Sequence, residues 1–562
     1  MKKILECVPN ISEGRDEKKI QAIAAEVETV EGVRLLDIDP GKATNRTVIT
    51  FAGEPEAVVE AAFRLIRKAA SLIDMRKHSG EHPRMGATDV CPLVPVAGMD
   101  MDEVVAYARG LGKRIGDELD IPIFLYENAA TEEKRRNLAN CRQGEYEGLE
   151  KKFKDPLWQP DHGSTNKSVF ERTGATAVGA RDFLVAYNVN LNTTSTRRAN
   201  AIAFDIRERG RVKREGNPLT GPIVKDENGN PVHIPGKLKA VKGIGWYIEE
   251  YGIAQISYNL TNISITPMHR AFEETCKAAD ERGLRVTGSE LVGLVPLQAM
   301  LDAGKHYLRK QQRSTGFPES EIIKIAVKSL GLDELSPFDP EKRIIEYKLK
   351  QELDQPLLKM DLRAFANETA SESPAPGGGS ISAYVGALGV SLGTMVANLS
   401  AHKRGWDDRW EEFSDWAEKG MHFQKQLLEL VDEDTAAFNR IMEAFGLPKS
   451  SEEEIASRKA AIHHATKQAI EVPYRVMELA LHSMEIMRAM AEKGNPNSVT
   501  DAAVGALCAR TAVEGAFLNV RVNCSGFDDT AFVDQKISAG TSLLEKAREI
   551  EAEVLDICDK KL

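Results

Sequence analysis

This chain is poor in thiol pairs and in positive charge. Seven cysteines are scattered through 562 residues with no C-x-x-C pair. That excludes a disulfide framework and a thiolate zinc site, and it indicates a reducing compartment. There is no basic excess: 74 Lys and Arg against 85 Asp and Glu leave a formal net charge of −11. Phosphate-backbone binding needs a basic face, so a nucleic-acid partner is excluded. An acidic small molecule needs only a local basic pocket and is not excluded. Met1-Lys-Lys-Ile runs into Glu6 and Pro9 without a secretory apolar core, so the expected location is cytoplasmic. Finally, Ser373 to Ala401 carries no formal charge at all. It is long enough to span a bilayer. Yet it is crowded with Gly, Ser, Ala and Pro, and Gly386, Gly389 and Gly393 are spaced for close helix approach. The expectation is a buried bundle helix at a subunit interface, not a membrane span.

What is present falls into unlike parts. KILECVPNIS, VRLLDIDP, RTVITFAG and IPIFLYENA read as strands, and Glu56–Leu72 and Asp102–Leu119 have helical apolar spacing. RDFLVAYNVNLN starts a second such unit, with helices expected near 195–209 and 267–282 and strands in VKGIGWYIEEYGIAQISYNLT. A polar Gly/Pro/Asn-rich stretch, 212–236, reads as an inserted loop or hairpin. Thr88-Asp89-Val90 precedes Leu93-Val94-Pro95 at the spacing with which Ser289-Glu290-Leu291 precedes Leu294-Val295-Pro296. This echo suggests two related subdomains. Beyond about 355 the strand patterns give way to long helical ones over 361–367, 381–399, 407–444, 452–492, 499–520 and 530–559. The expected architecture is two related α/β (α+β) subdomains with layered sheets, 1–183 and 184–330, a linker over 331–355, and an all-α helical-bundle domain over 356–562.

Four stretches concentrate chemistry. In MRKHSGEHPRMGATDV, His78 and His82 with Glu81 match H-x-x-E-H, an inverted zinc-protease pattern. A metal site of that kind needs one helical face. Gly80 weakens a helix there and Pro83 disfavours helical backbone at His82. A loop carrying Lys77, His78, Glu81, His82, Arg84 and Asp89 is expected instead, and a neutral loop histidine suits proton transfer at an amine. Asp39, Asn45 and Arg46 lie at a strand end and turn, where ordinary turn chemistry is the alternative. PAPGGGS (374–380) has no P-loop lysine. Its Gly378 and Ser380 sit where a helix start exposes N–H groups, either to an anion or merely to close packing. In LVDEDTAAF, Asp434 is at the margin of a buried helical face, where a carboxylate can enter a pocket; a solvated acidic face is the alternative. In GNPNSVTDAAVGA, Asn497 and Asp501 cluster at a helix start, where capping is the alternative.

ECVPNISEGRD, ATNRT, KHSGEHPRMGATDVCPLVPV, GIGWY and ELVGLVPLQAM resemble formiminotransferase motifs. SPAPGGGSISA, LVDEDTAAF, GLPK and GNPNSVTDAAVGA resemble those of cyclodeaminase. Together and in this order they resemble the formimidoyltransferase-cyclodeaminase family over nearly the whole chain; the polar stretch near 212–236 departs from its common pattern. The resemblance implies a bifunctional folate enzyme. It implies transfer of a formimino group between N-formimino-L-glutamate and tetrahydrofolate, then closure of 5-formiminotetrahydrofolate to 5,10-methenyltetrahydrofolate with loss of ammonia. The family's catalytic histidine matches His82 and its catalytic aspartate matches Asp434. Its folate-binding stretch falls on Thr165, Asn166, Lys167, Ser168, Val169, Phe170, Glu171, Arg172, Thr173 and Gly174. The supporting candidates are then Asp39, Asn45, Arg46, Arg84, Gly378, Ser380, Asn497 and Asp501. Tetrahydrofolate, with or without a polyglutamate tail, is substrate and carrier; no metal is implied, and a homo-oligomer with contacts through the helical domain is. A glutamate formyltransferase fused to a cyclohydrolase-like domain, or a non-catalytic folate-binding scaffold, remain as alternatives.

Overall fold

The computed structural model describes residues 3–42, 45–80, 83–217, 220–349 and 355–562. It divides into two compact units, Met1–Met300 with Leu330–Gln351, and Leu301–Ser329 with Glu352–Leu562. The first holds the sheets, and the second is helical.

The sheet unit begins β1 (Ile4–Cys7), β2 (Asn10–Ile11), α1 (Glu17–Glu28), β3 (Val33–Gly41), β4 (Arg46–Gly53), α2 (Pro55–Leu72) and β5 (Thr88–Ala97). The expected KILECVPNIS strand is thus two short strands interrupted around Pro9, whose ring cannot donate to a ladder. Both lie end to end between β4 and β5, antiparallel to each, and β3 borders β4. Then α3 (Met101–Leu119), β6 (Ile123–Glu127), α4 (Leu138–Arg142), α5 (Leu149–Lys152), α6 (Lys167–Thr173) and β7 (Thr176–Ala180) extend the sheet in parallel, in the order β5-β7-β6. Leu5, Cys7, Ile49, Phe51 and Leu93 face the helices and are fully buried with Val58, Leu65 and Ile115.

A second sheet follows: β8 (Val185–Leu191), α7 (Thr196–Ile206), β9 (Arg211–Val212), β10 (His233–Ile234), β11 (Val241–Ile248), β12 (Ile253–Leu260), α8 (Met268–Asp280) and β13 (Val286–Val292). Its order β11-β12-β8-β13 is fully antiparallel. With β1 and β2 taken as one strand and the β9–β10 pair set aside, the first four strands of each segment stand in the order second, third, first, fourth. The sequence echo falls on the fourth strand of each, β5 and β13. The polar stretch at 212–236 is a hairpin excursion closed by β9 and β10.

The chain continues through α9 (Leu297–Lys310), α10 (Glu319–Leu330), α11 (Pro340–Arg343), α12 (Ile345–Leu349) and α13 (Leu362–Thr369). Residues 301–329, at the end of the second expected α/β segment, pack within the helical unit: Thr315 donates its N–H to Ser414 Oγ over 2.9 Å. Part of the stretch expected as a linker packs in the sheet unit, where Ile345 N donates to Val295 O over 3.0 Å and Lys348 reaches Leu36 O at 2.5 Å.

The bundle consists of α14 (Gly378–Ala401), α15 (Trp410–Gly446), α16 (Glu452–Lys493), α17 (Val499–Cys524) and α18 (Thr530–Lys561). α14 packs along α15 and α17, and α16 packs along the same two. α14 is long and apolar enough to cross a membrane, and 61% of its most apolar window is buried. Gly389 faces Gly505 of α17 so closely that a Cβ on either would lie 2.8 Å from the other's carbonyl oxygen. α16 starts at a reciprocal Ser451–Glu454 cap and contains Pro473. Proline lacks an N–H, so it leaves the carbonyl four residues back without its helical donor. Asn523 of α17 supplies it, its Nδ2 donating to Ala469 O over 2.7 Å.

Candidate active sites

In the sheet unit, Asp74 caps a single helical turn at Met75–Lys77, and His78 is already extended (φ −86°, ψ 135°). The loop that follows is held at its far end by backbone bonds. Ala87 N donates to Thr173 O (2.7 Å), Ala175 N to Met85 O (2.9 Å) and Ser12 N to Ala87 O (2.9 Å). Met85 N donates to the buried carboxylate of Asp89, which pairs with Arg142.

At its near end the loop is organised by Asn45, whose backbone is left-handed (φ 49°). Asn45 Oδ1 accepts from Gly14 N (3.0 Å), and Asn45 Nδ2 donates to Ser79 O (2.9 Å). His78 Nε2 lies 2.8 Å from Asn45 O, and Arg84 Nε donates to His78 Nδ1 over 3.3 Å. Because Nδ1 accepts, the ring proton sits on Nε2 and donates to Asn45 O. Burial holds the His78 pKa below its ordinary value, against the opposing bond to Asn45 and with help from Arg84. The ring is therefore a neutral structural link. Its two nitrogens are both engaged, and its backbone is not helical, so His78 is not placed as the first ligand of an H-x-x-E-H zinc site. Glu81 and His82 lie outside the described residues. Arg84 is buried and bidentate to Glu147 (2.6 and 2.9 Å), with Glu145 at 3.0 Å.

Asp39 belongs to β3 opposite Val48 rather than to a turn. It and Asp89 act on Arg46, whose pKa is lowered first by burial and then by Arg142. Two aspartates and two arginines thus surround the strand end beside the loop. The stretch 165–174 forms α6 and its flanks: Asn166 caps the helix, accepting from Ser168 N, while Phe170 and Thr173 point into the core. Gly174 bridges to Gly86, and Arg172 donates to Ser71 O over 2.5 Å. Thr165, Asn166, Lys167 and Ser168 are exposed. The structure therefore brings Asn45, Arg46, Arg84 and 165–174 around one loop. Arg142, Glu145 and Glu147 join them without any local signal, since 61 and 63 residues separate Arg84 from its two carboxylates.

In the helical unit, three consecutive carboxylates have three different fates. Asp432 is buried and accepts from Leu357 N (3.0 Å) and Leu358 N (3.3 Å). Glu433 pairs with Arg440 over 2.7 Å. Asp434 faces the first turn of α14, where Ser380 N donates to Oδ2 over 2.9 Å and Ser380 Oγ lies 3.3 Å away. A Cβ at Gly379 would overlap Asp434 Oδ1 and Cγ. Burial raises the Asp434 pKa, and the two bonds from Ser380 pull it back. A carboxyl group so balanced can gain and lose a proton nearer neutrality than a solvated aspartate. Asn519 of α17 borders Gly378, its Nδ2 3.1 Å from the position of a Cβ there. No short-range pattern marks Asn519. Beside this end of the bundle a cavity of about 370 Å³ opens between α15 and α16, lined by Glu433, Arg440, Gln468, Glu471 and Arg475.

Asn497 and Asp501 are elsewhere. Asn495 N bonds Ser400 Oγ (2.8 Å), twenty residues along α14 from Ser380, or about 30 Å at helical rise. Within one chain they do not meet Asp434. Among the described residues, no group of three His, Cys, Asp or Glu is arranged to hold a metal.

Comparison with known proteins divides the chain near residue 350, so that 301–329, which pack in the helical unit, fall within a formiminotransferase match. Residues 4–181 match the formiminotransferase domain, N-terminal subdomain; 186–350 match the formiminotransferase domain; and 361–539 match formiminotransferase-cyclodeaminase. The formimidoyltransferase-cyclodeaminase of Rattus norvegicus is 42% identical over 99% of this chain and 98% of its own length. The chain belongs to the formimidoyltransferase-cyclodeaminase family. Two shorter proteins match it in part. The glutamate formimidoyltransferase of Streptococcus pyogenes serotype M1 is 40% identical over 55% of the chain and 94% of its own length. The methenyltetrahydrofolate cyclohydrolase of Methylorubrum extorquens is 33% identical over 36% and 97%. The family thus joins on one chain two formiminotransferase segments, 4–181 and 186–350, and a formiminotransferase-cyclodeaminase segment, 361–539.

Proposed function

We propose that the sheet unit transfers the formimino group between N-formimino-L-glutamate and tetrahydrofolate, and that the helical unit cyclises the product with release of ammonia. The observation that carries this reading is full-length similarity, 98% of a bifunctional relative's length, across two unlike units that each hold a polar site.

In the first step N5 of tetrahydrofolate attacks the formimino carbon. The tetrahedral centre collapses as the glutamate nitrogen leaves, so one nitrogen loses a proton and another gains one. We assign that relay to His82. Arg46, Arg84 and Asp39 set the charge beside the described part of the loop, and 165–174 hold folate through their exposed first turn. In the second step N10 attacks the same carbon, the former imino nitrogen is protonated and departs as ammonia, and 5,10-methenyltetrahydrofolate remains. Asp434 is suited to move that proton because burial raises its pKa. Gly378 and Ser380 shape its seat. Two sites on one chain raise the effective concentration of the shared intermediate.

We also propose a homo-oligomer through the bundle. Leu388, Met395 and Leu399 on α14, with Val504, Leu507, Leu518 and Val522 on α17, expose apolar side chains on two helices packed together. Such a face suits a second copy, and the partner could place Asn497 and Asp501 where one chain cannot.

Product analysis with N-formimino-L-glutamate and tetrahydrofolate, with and without a chelator, tests the reading. Glutamate, ammonia and methenyltetrahydrofolate are expected in equal amounts, unaffected by chelation. His82→Ala is expected to abolish glutamate release yet spare cyclisation of supplied 5-formiminotetrahydrofolate. Turnover of N-formylglutamate alone would favour the formyltransferase alternative.

A further inference from the structure

The loop at 78–89 is gripped from outside by the segment 140–148. Arg142 pairs with the buried carboxylate of Asp89, which accepts from Met85 N. Tyr146 N donates to Arg84 O over 2.9 Å, and Glu145 and Glu147 hold the Arg84 guanidinium. Arg84 in turn donates to His78. The segment has little regular structure of its own to keep these groups in register. α4 has five residues and α5 has four, and Glu145 between them is left-handed (φ 54°). Helices this short do not hold themselves together.

Lys152, at the end of α5, supplies the constraint. Its Nζ donates to Cys141 O (2.5 Å), Asn140 O (3.0 Å) and Gln143 O (3.2 Å). These carbonyls form the C-terminal end of α4, where a helix leaves acceptors without donors and favours a cation. An ammonium has three N–H groups, and each has a carbonyl here. Nζ also stands 4.2 Å from the centroid of the Trp158 ring and 5.5 Å from that of the buried Phe124. Backbone dipoles and ring faces thus hold this charge, and among the described residues no carboxylate pairs with it. Burial lowers its pKa to about 8, with the Cys141 thiol opposing and Arg135 assisting. The other charges beside it are spent elsewhere: Lys134 on Glu132, Arg135 on Asp161 and Arg142 on Asp89. Glu150 and Lys151, on α5 itself, are exposed.

Resting on the transferase reading above, we propose that Lys152 is a positioning residue of the transferase: by tying 140–143 to α5 it keeps Arg142, Glu145 and Glu147 where they hold the loop to which His82 belongs. It acts through these groups and not on the substrate. The tie depends on its charge. A neutral amine has two N–H groups for three carbonyls and offers the rings no cation. The tie therefore weakens as pH rises through about 8, and the grip on Arg84 and Asp89 loosens with it.

The test uses the full-length enzyme with Lys152→Met, which keeps the stem and removes the charge, and Lys152→Arg, which keeps a charge that does not titrate. Glutamate-release kcat and KM are measured from about pH 6.5 to about 9.5, with cyclisation of supplied 5-formiminotetrahydrofolate as the control. Amide hydrogen exchange is followed over 83–89 and 140–148. Near neutral pH, Lys152→Met is expected to lower transferase kcat at least about tenfold through loop misplacement, with both KM values and cyclisation within about twofold. Lys152→Arg should restore most of kcat. The ratio of wild-type to Lys152→Met kcat should shrink toward one as pH rises through about 8, because the wild-type lysine is then neutral too; the ratio of Lys152→Arg to Lys152→Met should stay level. Wild-type kcat in Lys152→Met overturns the proposal, and so does a wild-type to Lys152→Met ratio that is the same at every pH. If Lys152→Met does not fold, the wild type must lose kcat relative to Lys152→Arg over the same pH range, and a constant ratio overturns the proposal. If the wild type releases no glutamate, the transferase reading fails; faster exchange over 83–89 in Lys152→Met then supports the tie, and unchanged exchange overturns it.

Discussion

Ser380 donates its backbone N–H to Oδ2 of Asp434 over 2.9 Å, joining the first turn of α14 to the middle of α15. The same hydroxyl that approaches the carboxylate also donates to Val431 O over 2.7 Å, so the seat is fixed from both helices. Burial and these bonds act on the Asp434 proton in opposite directions. Asp434→Asn keeps the shape but cannot relay a proton. Ammonia release should fall by at least about 100-fold, the lower end for general acid–base loss, while glutamate release continues and 5-formiminotetrahydrofolate accumulates. Parallel assays of ammonia and glutamate check this; wild-type ammonia release would leave Asp434 a structural group.

Gly379→Ala should reproduce that phenotype without replacing the carboxylate. Its Cβ would occupy the space of Asp434 Oδ1, and the aspartate must swing out. Overpacking of this kind costs about 1–3 kcal/mol, so the variant should fold. Thermal unfolding with the two activity assays separates loss of cyclisation from loss of structure.

Asn45 separates side-chain from backbone effects. Asn45→Gly keeps a left-handed backbone available and loses the bonds to Gly14 and Ser79; Asn45→Ala loses the same bonds and adds strain of about 1 kcal/mol. Both should lower transferase kcat about 10- to 100-fold through loop misplacement with cyclisation unchanged. Chemical denaturation should find the Ala variant less stable than the Gly variant. Equal stability would mean that the loop adapts.

Pro473 and Asn523 should be coupled. Asn523→Ala leaves the Ala469 carbonyl unsatisfied near the core and should cost about 1–3 kcal/mol. In a Pro473→Ala background the helix regains its own donor, and the same change should cost close to nothing. A double-mutant cycle from denaturation midpoints measures the difference.

Glu6 gives a pH signature. Burial pushes this nearly inaccessible carboxyl up to about 7, against the pull of Arg181. Its folded pKa lies above its unfolded value, so between about 4.5 and 7 the folded state binds more protons. Its contribution to stability is full below that window and is lost as pH rises through it. Glu6→Gln removes the loss, by roughly 3 kcal/mol at most. The stability difference, variant minus wild type, should therefore grow from pH 5 to pH 8 in denaturation midpoints. A difference independent of pH would mean that the carboxyl is ionised throughout.

Periodicity and turn chemistry alone determined the unlike halves, the strands at 33–40 and 46–53, and the long bundle helices, because burial of one face repeats every two or 3.6 residues. α1 and β7 escaped notice, although both lie in the sheet unit: Glu17–Glu28 buries only Ile20, Ile23, Ala24 and Val27, and β7 is the short Thr-Ala-Val-Gly-Ala. Motifs also marked the neighbourhoods of Asn45, Arg84, Ser380 and Asp434, since each chemistry-bearing group lies in a short unusual string. The pairings needed tertiary structure. That Arg84 meets Glu147, that Asp434 rather than Asp432 or Glu433 meets α14, and that Asn497 lies a helix length away all depend on which face of one element packs on another. The GIGWY string shows why. Its alternation told of a strand, but only the position of α7, whose Ala199 meets Gly245, decided that glycines turn inward and Trp246 turns out.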